Sequence, residues 1–206
     1  MVNKVVVFGG AGFIGSNATR WFSNRDCEVV LVDNLSREGT EKNIEWIQSN
    51  WRIDFHKVDI CSRNEVQEIL DEHDDADLIL HLAGQVAVTT SIEDPRQDFE
   101  DNLLETINIL EAMRTLDHSG TLIFASTNKV YGKLNHLEHI EKDTRYEYDS
   151  VEGISEQANL DFHSPYGCSK GAADQYVRDY ARTFDLNTVV FRQSCIYGPH
   201  QFGVED

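Results

Sequence analysis

Lys4-Val5-Val6-Val7-Phe8-Gly9-Gly10-Ala11-Gly12-Phe13-Ile14-Gly15-Ser16 decides the fold. The β-branched run predicts a strand, the glycine cluster a tight turn, and the pattern after it a helix. Glycine takes backbone angles closed to other residues, and without a side chain it lets a charged group approach the main chain. A helix starting near Phe13 offers free N–H groups and the positive end of its dipole. In that order they form the phosphate cradle of a dinucleotide-binding unit. Gly10-x-Gly12-x-x-Gly15 and Gly9-x-x-Gly12-x-x-Gly15 both fit, so the sequence leaves open which glycine makes the first turn.

The next strand continues the pattern. Residues 28–32 read as extended and end at Asp33, eighteen positions after Gly15. An acidic side chain there bonds the adenosine ribose hydroxyls of a dinucleotide and repels a 2′-phosphate, which favours NAD over NADP. Arg37 is the neighbour that argues the other way.

Further strands are predicted at 52–58, 77–82, 121–125 and 187–191. Helical faces lie between most of them. Phe13, Ile14, Ala18, Trp21 and Phe22 share one, and Val66, Ile69 and Leu70 another. Leu103, Ile107, Leu110 and Met113 mark a long helix over about 93–117. Ala172, Ala173, Tyr176, Val177, Tyr180, Ala181 and Phe184 mark the last, over 166–184. Strand–helix alternation at this rhythm specifies an α/β fold: a doubly wound parallel (Rossmann) sheet with helices on both faces. Residues 133–164 break the rhythm with eight acidic and three basic residues and few aliphatics. A connection of that length is expected to be an acidic lid over the site.

A chain of 206 residues is expected to form one domain over 1–206. Its net charge of −18 disfavours nucleic acid and anionic membranes and promotes solubility. Any anionic ligand therefore needs local help from glycine turns and nearby cations. Cys27, Cys61, Cys168 and Cys195 are widely spaced and form no CxxC or His/Cys cluster. Free thiols, no structural metal and a cytoplasmic location are expected, with no signal peptide or membrane span.

Tyr166 and Lys170 are four apart at the start of the last helix, so both side chains lie on one face. A phenol with pKa near ~10 is a poor base at neutral pH. The Lys170 ammonium and a positive nicotinamide both favour the phenolate, and a shift to about 7 needs roughly 4 kcal/mol. Tyr166 then accepts a proton from a sugar hydroxyl as hydride leaves the same carbon for NAD. Thr127 ends the fifth strand, at the edge of the sheet where such folds place ligands, and its hydroxyl suits orienting the reacting oxygen.

GGAGFIGS, Asp33-Asn34, Val58-Asp59-Ile60, His81-Leu82-Ala83-Gly84, Ser126-Thr127-x-x-Val130-Tyr131-Gly132 and Ser164-Pro165-Tyr166-Gly167-x-Ser169-Lys170 together resemble the extended short-chain dehydrogenase/reductases that act on nucleotide sugars. The resemblance spans nearly the whole chain. It implies Thr127, Tyr166 and Lys170 as the catalytic set, with Thr127 and Asn128 toward the substrate. It implies NAD contacts at Gly9, Gly12, Phe13, Ile14, Gly15, Asp33, Asn34, Ser36, Arg37, Asp59, Ile60, Leu82, Ala83, Gly84, Gln85, Tyr166 and Lys170. The 4,6-dehydratases of this family carry Thr-Asp-Glu where this chain has Thr127-Asn128-Lys129, which argues against water elimination. Residues 33–37, 85–91 and 161–176 are most similar to the branch of CDP-tyvelose (CDP-paratose) 2-epimerases. The resemblance thus implies a nucleotide-sugar substrate, a CDP-sugar, and a homodimer or higher homo-oligomer paired through the two long helices. It also implies a carboxy-terminal substrate-binding portion that these residues do not include. A 4-epimerase or reductase with the same triad, and a non-catalytic NAD-binding fragment, are the alternatives.

Overall fold

The computed structural model describes residues 2–202. Six parallel strands form the centre: β1 (Lys4–Phe8), β2 (Glu28–Asp33), β3 (Asp54–Lys57), β4 (Leu78–His81), β5 (Thr121–Thr127) and, after a separate hairpin, β8 (Thr188–Gln193). Their order is β3-β2-β1-β4-β5-β8. The chain runs outward from β1 in one direction and then returns to build outward in the other. The reversal leaves a crevice between the ends of β1 and β4, the ligand position of doubly wound sheets.

Side chains alternate across the pleat. Val6, Phe8, Val30, Val32, Ile79, Leu122 and Phe124 face one side, against α3 (Arg63–Glu72), α6 (Glu105–Thr115) and α7 (Ser164–Phe184). Val5, Val7, Val29, Leu31, Leu78 and Leu80 face the other, against α1 (Phe13–Ser23) and α2 (Thr40–Asn50). Burial on both faces explains why β1 and β2 read as continuous apolar runs rather than alternating ones.

Before β5, α4 (Val88–Glu93) is followed by α5 (Pro95–Phe99), one wide π-type turn (Glu100–Leu104) and α6. Such turns are uncommon and concentrate at functional sites. The acidic segment expected as a lid is not wholly irregular. It holds an antiparallel hairpin, β6 (His139–Glu141) with β7 (Tyr146–Tyr148). Three-residue strands are too short to show an alternation in sequence, which is why the hairpin was not foreseen. The segment's end is anchored, since Asp161 N–H donates to the Val130 carbonyl at 2.9 Å. After β8 the chain crosses back over α1 and α2, where Asn17 Nδ2 donates to the Pro199 carbonyl at 2.8 Å. The open strand β8 leaves Val189 and Phe191 exposed.

Candidate active site

The glycine turn resolves the ambiguity left by the sequence. Gly9 has φ +79°, and a Cβ there would lie 2.5 Å from the Ala83 backbone nitrogen. A Cβ on Gly15 would lie 2.2 Å from the Gly9 carbonyl oxygen. Gly10 has ordinary φ and packs onto the Leu31 side chain. Of the two candidates for the first turn, Gly9 is the one in the left-handed region, although a Cβ on Gly10 would also crowd Leu31 Cδ2 at 2.5 Å. Gly12 is the residue before α1, and no side chain caps that helix end. Phe13 and Ile14 form its first turn, half-buried.

Asp33 closes β2 directly beside this turn. One carboxylate oxygen accepts from Ala11 N–H at 3.0 Å and the other from Leu35 N–H at 2.8 Å. Burial pushes its carboxyl up, against the lowering by these two bonds. Asn34 folds onto Ser36 N–H at 2.9 Å, while Ser36 and Arg37 are exposed beyond it. At the end of β3, Asp59 accepts from Cys61 N–H at 3.0 Å. Ile60 is buried, and its carbonyl accepts from Asn108 at 2.9 Å. At the end of β4, Leu82 and Ala83 donate backbone N–H to the Phe8 carbonyl at 2.9 and 3.0 Å. Gly84 follows at φ +136°, and Gln85 turns back onto the Ala87 carbonyl with its own Oε1 buried and unpartnered.

The catalytic candidates converge on the same edge. Thr127 ends β5 and accepts from Lys129 N–H at 3.2 Å. Asn128 Nδ2 donates to Ser194 Oγ at 3.0 Å. Tyr166 and Lys170 are both buried on the first turns of α7. A Cβ on Gly84 would come within 3.0 Å of Lys170 Nζ and 2.6 Å of Asn102 Oδ1. The lysine head thus lies where β4 ends, 4.9 Å from the Phe124 ring centroid.

The electrostatics differ from expectation. Burial pushes the Tyr166 phenol up, Thr127 beside it draws it down, and Asp98 raises it further. The expected fall from Lys170 is absent. Burial lowers Lys170 itself to about 8, with Glu105 and Asp98 drawing it back up.

Asp98, Asn102 and Glu105 are site residues that the sequence reading missed. Asp98 is buried and accepts from Ser169 Oγ at 2.6 Å and Asn102 Nδ2 at 3.0 Å. It ties α5 to the helix that carries Tyr166 and Lys170. Glu105 is buried, and burial together with Asp101 pushes it up to about 9. One of its oxygens accepts from Cys61 Sγ at 3.8 Å and the other has no partner among the described residues. The signal available was their spacing: polar residues at i, i+4 and i+7 form one helical stripe.

Glu105 has a consequence for pH. Its folded value lies above the ordinary 4.5, so the folded chain holds a proton that the unfolded chain releases. That stabilising preference is complete below about 4.5 and is lost as pH rises toward 9. Glu105→Gln keeps a neutral group there at every pH. Its stability relative to the parent chain is expected to rise as pH goes from about 5 to 9, by at most ~1.4 kcal/mol per unit, with its melting temperature rising alongside. Parallel thermal melts across that range measure it.

The description "NAD dependent epimerase/dehydratase family" matches residues 5–205. The chain belongs to that family. Among curated relatives of the family, it is 47% identical over 204 residues to CDP-paratose 2-epimerase of Salmonella typhi, covering 98% of this chain and 60% of that protein. It is 35% identical over 208 residues to dTDP-glucose 4,6-dehydratase of Escherichia coli, covering 97% and 56%. Among solved structures, Thermus thermophilus UDP-glucose 4-epimerase in complex with NAD superposes with TM-score 0.77 at 32% identity, covering 97% of this chain and 57% of that one. The chain therefore spans less than two thirds of the length of these family members. All four cysteines are free, and no helix among the described residues is long and apolar enough to cross a membrane.

The arrangement fits the family's cofactor. Side chains at Gly9 and Gly15 would strike the β4 end and the turn's own backbone, so glycine keeps this turn tight; the start of α1 is uncapped, and Asp33 keeps a second lone pair on each oxygen for ribose hydroxyls.

Proposed function

We propose that this chain forms the NAD-binding part of a nucleotide-sugar epimerase that inverts C2 of a CDP-sugar, as a CDP-tyvelose (CDP-paratose) 2-epimerase does. The observation that carries it is the meeting of Thr127, Tyr166 and Lys170 at the β4 and β5 ends, beside the glycine turn. The 47% identity to CDP-paratose 2-epimerase supports the choice of C2 and of CDP. Thr127-Asn128-Lys129 offers no carboxyl group for water elimination, which supports epimerisation over dehydration.

Gly9, Gly12, Phe13, Ile14 and Gly15 would hold the pyrophosphate of NAD. Asp33, Asn34, Ser36 and Arg37 would hold the adenosine ribose, and Asp59 and Ile60 the adenine. Leu82, Ala83, Gly84 and Gln85 would line the remainder, with Lys170 and Tyr166 at the nicotinamide ribose. NAD supplies a hydride acceptor that returns the hydride in the second half-reaction. Tyr166 accepts the C2 hydroxyl proton and gives it back once the 2-keto sugar has turned its other face. Thr127 orients the reacting oxygen, Asn128 contacts the sugar, and Lys170 supplies positive charge. Pairing of two copies through α4–α6 and α7 belongs to the same reading, supported by exposed Ile92, Phe99 and Tyr176 on those helices. So does a cytoplasmic location.

Calorimetric titration with NAD and NADP, combined with nuclear magnetic resonance of CDP-sugar products, tests this. Binding of NAD in preference to NADP, and a C2-inverted product without net NADH, are expected. Absence of binding to either nucleotide overturns the cofactor assignment. Inversion at C4 overturns the C2 assignment alone.

A further inference from the structure

Away from the cofactor face, on the edge strand β3, three side chains converge on one point. His56 Nε2 and His73 Nε2 are 3.4 Å apart. Asp54 Oδ2 lies 3.3 Å from the first and 3.9 Å from the second. Asp54 and His56 alternate by two along β3 and so share a face, while His73 caps the end of α3. His73 is 4% exposed and its backbone is fixed on both sides. Its N–H donates to the Ile69 carbonyl at 3.1 Å, and its carbonyl accepts from Ala76 N–H at 3.1 Å.

Two of these three separations match the edges of a tetrahedral coordination polyhedron, and the third, at 3.9 Å, is longer. A tetrahedral ion with bonds of about 2.0–2.1 Å has ligand-to-ligand edges of about 3.3–3.4 Å. Two of the three edges here are 3.4 and 3.3 Å. Three lone-pair-bearing atoms, two ring nitrogens and one carboxylate oxygen, thus face one point. A cation at the centre accepts all three lone pairs at once. Lys4, whose field reaches His73, is itself paired with Asp75 at 2.7 Å and Glu28 at 3.3 Å.

We propose that Asp54, His56 and His73 form a divalent transition-metal site, of the kind that takes zinc, with its fourth position open to water. Nitrogen and carboxylate donors in tetrahedral array suit zinc rather than magnesium or calcium. Asp54 is exposed, so the open side faces solvent. The ion would tie β3, which pairs only with β2, to the end of α3. The site is independent of the cofactor cradle. Its two histidines are seventeen positions apart in sequence, outside any short metal motif.

The test is a titration of the chelator-treated 206-residue chain with Co²⁺ and then Zn²⁺. The parent chain is expected to bind one Co²⁺ with visible tetrahedral absorption that Zn²⁺ displaces. His56→Gln and Asp54→Asn, both at solvent-accessible positions of β3, are each expected to weaken binding more than tenfold while leaving the circular dichroism unchanged. His163→Gln removes a different exposed histidine, 3.4 Å from Asp161, and is expected to change nothing. No tetrahedral absorption in the parent chain overturns the proposal, as does parent-like affinity in His56→Gln and Asp54→Asn.

Discussion

Replacing Tyr166 with phenylalanine is expected to lower turnover by about 10²–10⁴-fold while leaving NAD affinity within a few-fold. The substitution removes one oxygen from a buried ring and keeps its packing at the start of α7. The protein alone does not prepare this phenol as a base. Burial raises it, only partly offset by the Thr127 hydroxyl beside it. On the proposed function, the positive nicotinamide of NAD, when bound, would supply charge favouring the phenolate. Turnover and NAD affinity measured side by side in protein carrying this domain provide the check. Parent-like turnover in Tyr166→Phe would remove the residue from the proton-transfer role.

Asp174→Ala is expected to destabilise the fold by about 3–5 kcal/mol, a large share of the 5–15 kcal/mol typical of a domain. Asp174 is fully buried on α7. It receives Arg192 of β8 through both carboxylate oxygens, at 2.8 and 2.9 Å, and Ser126 Oγ of β5 at 2.8 Å. Arg192 also donates to the Tyr131 hydroxyl at 2.8 Å. Removing the carboxylate strands a largely buried guanidinium with no counter-charge. Pairing the change with Arg192→Met removes that stranded charge, so the double variant is expected to be more stable than Asp174→Ala alone. Denaturant titrations of the two variants decide it.

Much of the architecture was legible because a parallel sheet buried on both faces must be written in unbroken apolar runs. Residues 4–8, 28–32 and 121–125 carried that signal, and the glycine cluster fixed where the first helix starts. The helix Thr40–Asn50 went unnamed because Ile44, Trp46 and Ile47 are its only large apolar residues. The choice of Gly9 over Gly10 depends on the Ala83 backbone, some seventy positions away, and no local pattern encodes such an approach. Tyr166 and Lys170 were readable from their four-residue spacing. Asp174 continues the same spacing, yet a buried acid and a surface acid look alike until the partner is known. Glu105 and Asp98 were hidden for the same reason.

The open margin formed by β8 sets how this polypeptide behaves at high concentration. Val189 and Phe191 stand exposed on a strand whose outer main-chain groups have no sheet neighbour among the described residues. Such a margin is a template for strand-to-strand aggregation. The net charge of −18 holds copies apart in dilute buffer, and added salt shortens the reach of that repulsion to a few ångströms. Crystallisation and storage conditions for this chain therefore trade colloidal stability against ionic strength.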